Sequence, residues 1–155
     1  MDPAFHIRHG TLGDIPAITQ HRLGMMLEMG LATPDQCTAY DPEFRMFIEK
    51  EISAGNFNSF LAATETGQVV GGGAVYVVPW PGNPSDRLQK RVFILNVFTE
   101  PEFRRRGIAR AVVGAMVNWC RARGFHSVRL MASDVGRPLY QSMGFFPTHE
   151  MKLEL

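Results

Sequence analysis

The chain has 155 residues, 45% hydrophobic and 20% charged, with a formal net charge of +1. That length suits one folded domain over residues 1–155, the composition excludes a disordered chain, and the small net charge argues against nucleic acid as a partner. No apolar run approaches the ~20 residues of a membrane span. The start MDPAFHIRHG lacks an apolar signal core, so the expectation is a cytoplasmic protein that does not meet a membrane.

In chain order, residues 5–9 (FHIRH) read as a first strand, and Gly10 to Asp14 as a turn with Thr11 or Asp14 as helix caps. A helix follows over 14–29, with Ile15, Ile18, Leu23, Met26 and Leu27 near helical spacing and Gly30 as its stop. Thr33-Pro34-Asp35 reads as a loop. Asp41-Pro42-Glu43 reads as the entry to a second helix, striped by Phe44, Phe47, Ile48 and Ile52 and ending near Gly55. Residues 59–64 and 69–78 then form a hairpin across Glu65-Thr66-Gly67-Gln68. Gly71-Gly72-Gly73 inside its second arm predicts a bulge or a close backbone approach. Residues 79–84 carry three prolines and must be a loop.

The apolar run Val92–Phe98 reads as a central strand, followed by a turn at 99–103 and then by Arg104-Arg105-Arg106-Gly107-Ile108-Ala109. A helix begins there, with Ile108, Val112, Ala115, Met116 and Trp119 on one face. A strand, a tight basic turn and a helix point free N–H groups and the positive helix end at one spot, which suits a phosphate. Gly107 and Ala109 leave room for close approach to the backbone. The turn is neither a P-loop nor a GxGxxG turn, because the defining glycines and the Lys-Ser/Thr pair are missing. Residues 127–131 alternate as a strand, 136–143 form a short helix capped by Gly144, and 145–155 are strand-like pieces. Cys37 and Cys120 show no CxxC or Cys/His spacing and read as reduced thiols; no metal is expected.

The block ILNVFTEPEFRRRGIARAVV, with LYQSMGF downstream, resembles the GNAT superfamily of acyl-CoA-dependent N-acyltransferases over nearly the whole chain. The resemblance implies an α/β fold: a mixed, mostly antiparallel sheet whose parallel strands 4 and 5 splay apart, flanked by about four helices. It implies acetyl-CoA as co-substrate, its pantetheine arm lying in the opening against the backbone of Val97, Phe98 and Thr99. The turn Arg104, Arg105, Arg106, Gly107, Ile108, Ala109 and Arg110 would hold the pyrophosphate. Tyr140 would be the general acid that protonates the departing thiolate, with the Val97 or Phe98 N–H as oxyanion donor. Ser133 stands where the family often has a CoA-contacting asparagine, so a ligand contact and a plain strand-end serine stay equally open there.

For the acceptor, the resemblance points to Met25, Met26, Glu28 and Met29 in the first helix, Trp80 to Asn83, and Thr148 to Glu150. Glu28, Glu43, His149 and Glu150 are the general-base candidates. Asn96, the one polar residue in an apolar strand, either faces the substrate or bonds a neighbouring strand. Trp80 is a lid, or packs on the body of the protein or on a second subunit of a homodimer. The resulting expectation is acetyl transfer to a primary amine, a small molecule being favoured because the length leaves no extra binding domain. The rivals are a protein-amine acetyltransferase, a non-catalytic CoA-binding sensor on the same fold, and a nucleic-acid module using the arginines.

Overall fold

The computed structural model describes residues 4–155. Its strands are β1 (Phe5–His9), β2 (Phe57–Thr64), β3 (Val69–Pro79), β4 (Lys90–Thr99) and β5 (Arg129–Leu130), and its helices are α1 (Ile15–Glu28), α2 (Pro34–Ser53), α3 (Ile108–Ala122) and α4 (Arg137–Ser142). The five strands lie in sequence order in one sheet. β1 to β4 are antiparallel neighbours, while β5 runs parallel to β4. This is the mixed, mostly antiparallel α/β sheet with four helices that the resemblance implies.

Each sheet face carries its own core. On one, Ile18 of α1 and Phe44 and Ile48 of α2 pack against Phe57, Leu61 and Ala74. On the other, Ile108, Val112, Val113 and Met116 of α3 cover Phe60, Ala62, Val75, Val92 and Ile94. Fully burying each such aliphatic side chain contributes about 1.5–3 kcal/mol, so the two helical layers fix the sheet between them. The alternation of β4 therefore assigns each of its side chains to α1 or to α3.

Three elements differ from the sequence expectation. The second helix starts at Pro34 rather than near Asp41, leaving Pro42 inside it. Its start is set by a capping box. The Thr33 hydroxyl accepts from the Gln36 N–H at 3.2 Å, and the Gln36 side chain accepts from the Thr33 N–H at 2.9 Å. Pro34 fills the first helical position, where its missing N–H costs nothing. The second difference is the end of the chain, where residues 145–155 form no strand. Their alternating pattern supplies one side of a ladder, but a strand also needs a paired edge, and these residues pair with no strand among the described residues. The strand expected over 127–131 is likewise cut to Arg129–Leu130.

Candidate active site

The site is built around a defect in β4. Gly72 faces Phe98 and Ala74 faces Leu95 across the β3–β4 ladder, so β4 carries one residue more than β3 over that interval. This is a β-bulge, and Asn96 takes the strain of it at φ 59. A non-glycine residue in the left-handed region is uncommon, and asparagine is among those that tolerate it best. Of the two readings offered for the three glycines, close approach is the one the structure shows, and the bulge lies opposite them in β4. A Cβ on Gly71 would meet Ile108 at 2.9 Å and the Phe98 carbonyl at 3.0 Å, and one on Gly73 would meet Met116 at 2.8 Å. Only glycine lets β3 run this close under the bulge.

β5 leaves β4 at the same level. Their pairing stops at Ile94↔Leu130, so from Leu95 to Thr99 β4 has no β5 partner among the described residues. The result is an opening bordered by the main chain of Val97, Phe98 and Thr99. Val97 packs toward α3. Phe98 points to the other face, where its ring lies 5.2 Å from that of His21 and would be 3.2 Å from a Cβ on Gly24.

At the mouth of this opening the chain makes a 3-10 turn, Pro101–Phe103, and then the arginine turn. Arg105 at φ 64 and Gly107 at φ 79 both adopt the left-handed conformation, one on each side of Arg106. α3 begins at Ile108, and its first internal bond outside the helix ladder runs from the Ala111 N–H to the Gly107 carbonyl. The N–H groups of Arg105, Gly107, Ile108, Ala109 and Arg110 meet no acceptor among the described residues. Left-handed residues next to a helix start form an amide nest with the positive dipole end behind it, a site for an anion. The arginine side chains are partly committed elsewhere. Arg104 donates to the Thr99 carbonyl at 2.9 Å and to Glu28 at 2.5 Å, and Arg106 donates to the Glu102 carbonyl at 2.9 Å. Arg110 donates to the Ser142 hydroxyl at 2.6 Å, tying the start of α3 to the end of α4.

That tie helps fix Tyr140. Its half-buried ring packs on the α3 core and meets Phe145 edge-on at 5.8 Å. Burial pushes the phenol above its ordinary value, so it stays protonated at neutral pH. Ser133 serves the start of α4, its hydroxyl accepting from the Gly136 N–H at 3.1 Å and its carbonyl from the Arg137 N–H at 2.9 Å.

The α1 side of the opening holds polar residues that the sequence pattern does not single out. Arg22 donates to the Asn96 side-chain oxygen at 2.6 Å, so the partner of Asn96 is a helix and not the neighbouring strand. Arg22 also lies over the Phe44 ring at 5.1 Å. His21 is buried, with Nε2 3.3 Å from Glu100. Burial lowers His21 to about 4, so the imidazole is neutral at pH 7. Burial raises Glu100, with Glu102 adding to the effect. Ile18, His21, Gly73, Ala74 and Asn96 line a small recess of about 10 Å³, room for about one water. The Asn96 side-chain N–H₂ and the Arg22 Nε are buried without a partner among the described residues. The one sequence signal for this cluster is Thr19, His21 and Arg22 sitting among the core-facing positions of an otherwise apolar helix.

Of the remaining expected residues, Met25 is half-buried on α1, while Glu28 and Met29 are exposed at its end. Glu43, His149 and Glu150 are exposed. Trp80 and Asn83 are not brought to the opening. Pro79 pairs with Lys90, so that loop lies at the far end of β4, seven residues and roughly 23 Å from Val97. There Trp80 stacks under Arg91 at 3.5 Å. Of the alternatives for Trp80, packing on the body of the protein is the one seen, because a hairpin loop between antiparallel strands sits opposite the end where β4 delivers its turn. Among the described residues no group of three His, Cys, Asp or Glu side chains could hold a metal ion, and Cys37 and Cys120 are free. No helix is long and apolar enough to cross a membrane.

Known proteins share this arrangement. The sequence profile of the "Acetyltransferase (GNAT) family" matches residues 28–145. The chain is 32% identical over 111 residues to N-acetyltransferase 8 of Rattus norvegicus, an alignment covering 70% of this chain and 48% of the rat protein. It thus spans about half the length of the curated relatives it matches. Among solved structures, a GCN5-related N-acetyltransferase from Ralstonia eutropha superposes with a TM-score of 0.89 at 29% identity, covering 98% of this chain and 99% of that one. A predicted acetyltransferase from Clostridium acetobutylicum, solved with acetyl-CoA, gives 0.87 at 25% identity, covering 98% and 96%.

Proposed function

The chain belongs to the GNAT acetyltransferase family, and from that premise we propose that it is a single-domain, cytoplasmic N-acetyltransferase that works as a homodimer and moves an acetyl group from acetyl-CoA to a primary amine of a small molecule. The observation that carries this reading is the pairing of two backbone features within one stretch: the unpartnered edge of β4 over 95–99, and the unbonded amides of Arg105 and of Gly107 to Arg110 just beyond it. A diphosphate fits the amide nest, because each phosphate oxygen accepts from N–H groups that have no other partner. An extended amide-bearing arm fits the β4 edge, where it substitutes for the missing strand. Acetyl-CoA has both parts.

In this reading the residues do the following. The Val97 or Phe98 N–H donates to the acetyl carbonyl, whose oxygen gains negative charge as the amine attacks. The amine nitrogen bonds to the carbonyl carbon and the carbon–sulfur bond breaks. Tyr140 gives its hydroxyl proton to the leaving sulfur, a role that needs a phenol kept protonated at neutral pH. The acceptor enters on the α1 side, past Met25 and Phe98. Ser133, already bonded to the start of α4, contributes by holding Tyr140 in place.

The test is a broad panel of primary amines with acetyl-CoA, read by free thiol and by product mass. The expected result is thiol release with a mass gain of one acetyl group on at least one small amine. Tight acetyl-CoA binding with no turnover on any amine would instead identify a sensor, and turnover confined to peptide amines would move the acceptor class to proteins.

A further inference from the structure

α1 and α2 each carry one arginine, and the two are treated differently. Arg45 on α2 lies beside Asp41 at 2.6 Å. Arg22 on α1 is half-buried, and no carboxylate among the described residues comes within ion-pair distance of it. Its contacts are neutral. It donates to the Asn96 side-chain oxygen at 2.6 Å, and its guanidinium lies 5.1 Å from the centre of the Phe44 ring. Its Nε–H is buried without a partner among the described residues, as is the Asn96 side-chain N–H₂. A cation taken partly out of water is stabilised when an opposite charge replaces its hydration. Holding the Asn96 oxygen needs only a neutral donor, so the charge of Arg22 has no use within the chain. Its position gives it one. The end of α1 lies at the mouth of the opening, where Glu28 meets Arg104 and Arg104 meets the Thr99 carbonyl. Arg22 lies further in, against the residue that precedes Val97. Met25 stands between, about one helical turn from Arg22. An acceptor that enters past Met25 therefore runs up to the guanidinium.

We infer that Arg22 binds a carboxylate on the acceptor, so that the acceptor is a primary amine that also carries a carboxylate, amino acids being the simplest members of the class. This rests on the acetyl-transfer reading above and narrows its acceptor. Charge balance selects the ligand. His21 is neutral at pH 7 and Arg104 is already paired with Glu28. Arg22 is thus a single uncompensated positive charge on the α1 side, and one carboxylate matches it, whereas a phosphate monoester brings close to two negative charges. A guanidinium also presents its N–H donors in a planar fork that fits the two oxygens of a carboxylate. The contact orients as well as binds. Anchoring the carboxylate beside Asn96 confines the amine of the same molecule to the neighbourhood of Val97, where the acetyl carbonyl is held, and a confined amine attacks faster than a free one.

The test compares matched pairs, each common amino acid against its own decarboxylated amine, with acetyl-CoA and the full chain. The amino acid of the best pair is expected to show at least ~10-fold higher kcat/KM than its amine, the value of a charge-assisted contact. Arg22→Gln keeps a neutral donor for Asn96 and removes the charge, and it is expected to bring that preference within ~3-fold of unity; circular dichroism checks that the variant is folded. Equal turnover within every pair, or a preference for the decarboxylated member, overturns the proposal and leaves acetyl transfer standing. So does a carboxylate preference that survives in folded Arg22→Gln. The comparison within the unmodified chain needs no variant, so a misfolded Arg22→Gln does not shelter the proposal. A second readout is independent of turnover. The nitrogen-15 resonance of the Arg22 Nε–H, identified by its loss in Arg22→Gln, is expected to shift when the amino acids are titrated with CoA present, and not with the matching amines. If no amine is turned over, the acetyl-transfer reading fails and this titration still decides the carboxylate site: an unmoved resonance overturns it.

Discussion

The two sides of the opening are made of different material. The arginine turn is main chain: two left-handed residues, a helix start and a row of amides, all between Arg105 and Arg110. The α1 side is made of side chains, and its bonds span long stretches of sequence. Arg22 reaches Asn96 across 74 positions, and Glu28 reaches Arg104 across 76. The first kind of site is set by local torsions and tolerates many side chains, because its donors belong to the backbone. The second depends on tertiary packing for its contacts. A diphosphate that is the same in every turnover suits the first, and an acceptor that differs between enzymes suits the second.

The comparison breaks if the turn can be spoiled without losing the donor. Gly107→Glu places a carboxylate in the nest at a position whose φ of 79 disfavours any side chain. A Cβ there meets nothing within 4 Å, so the fold should survive at a cost of about 1–2 kcal/mol. Acetyl-CoA affinity measured by calorimetry is expected to fall at least ~100-fold, through repulsion and the loss of amide contacts. Unchanged affinity would mean that the diphosphate lies elsewhere.

Tyr140→Phe sharpens the division between binding and chemistry. It keeps the ring against Phe145 and removes only the hydroxyl. A lost general acid costs roughly 10²-fold in kcat, while acetyl-CoA affinity should stay within a few-fold. An equal loss in both would make Tyr140 a packing residue.

How much was legible follows the same division. The capping glycines, the hairpin, the central strand and the arginine turn are local signals, and the structure forms them where the pattern puts them. The three glycines of β3 announced a close approach because no other residue fits beneath Ile108 and Met116. The sequence pattern put the second helix about seven residues too late because Pro42 outweighed the Thr33–Gln36 box, although proline inside a helix is tolerated here. His21, Arg22 and Glu100 escaped notice because a buried polar contact leaves no periodic trace. For Trp80 the sequence leaves a lid, the body of the protein and a second subunit all open, because its partner, Arg91, stands on the strand it leads into and only the fold brings the two together.

The His21–Glu100 pair gives the α1 side a signature in pH. Burial holds His21 at about 4 in the folded chain, against ~6.5 when unfolded. Between these values the unfolded chain binds the proton more readily, so stability is fully present above about pH 6.5 and drains away as pH falls toward 4. The loss expected is about 2 kcal/mol, less than the shift alone implies, because the Glu100 carboxylate attracts the imidazolium and its own raised value works in the opposite direction. Urea unfolding of the chain and of His21→Gln at a series of pH values measures it; the variant should lose most of the slope, and identical slopes would show that His21 is not the group responsible.

The smallest effect expected is at Glu28, and it separates the two sides most cleanly. Glu28 touches the turn through Arg104, so it is the one residue of α1 whose removal could be felt on both sides. Both side chains are nearly half exposed, at 46% and 41%, and an exposed ion pair contributes about 0–1 kcal/mol. Arg104 also keeps its bond to the Thr99 carbonyl, which holds the guanidinium near the mouth of the opening without help from Glu28. Glu28→Gln is therefore expected to change kcat and acetyl-CoA affinity by less than about five-fold, since it removes only a screened charge. A loss of 100-fold in kcat with unchanged acetyl-CoA affinity would make Glu28 the base that takes the amine proton. A loss in acetyl-CoA affinity would show instead that α1 helps shape the amide nest, and the two sides of the opening would no longer be separable.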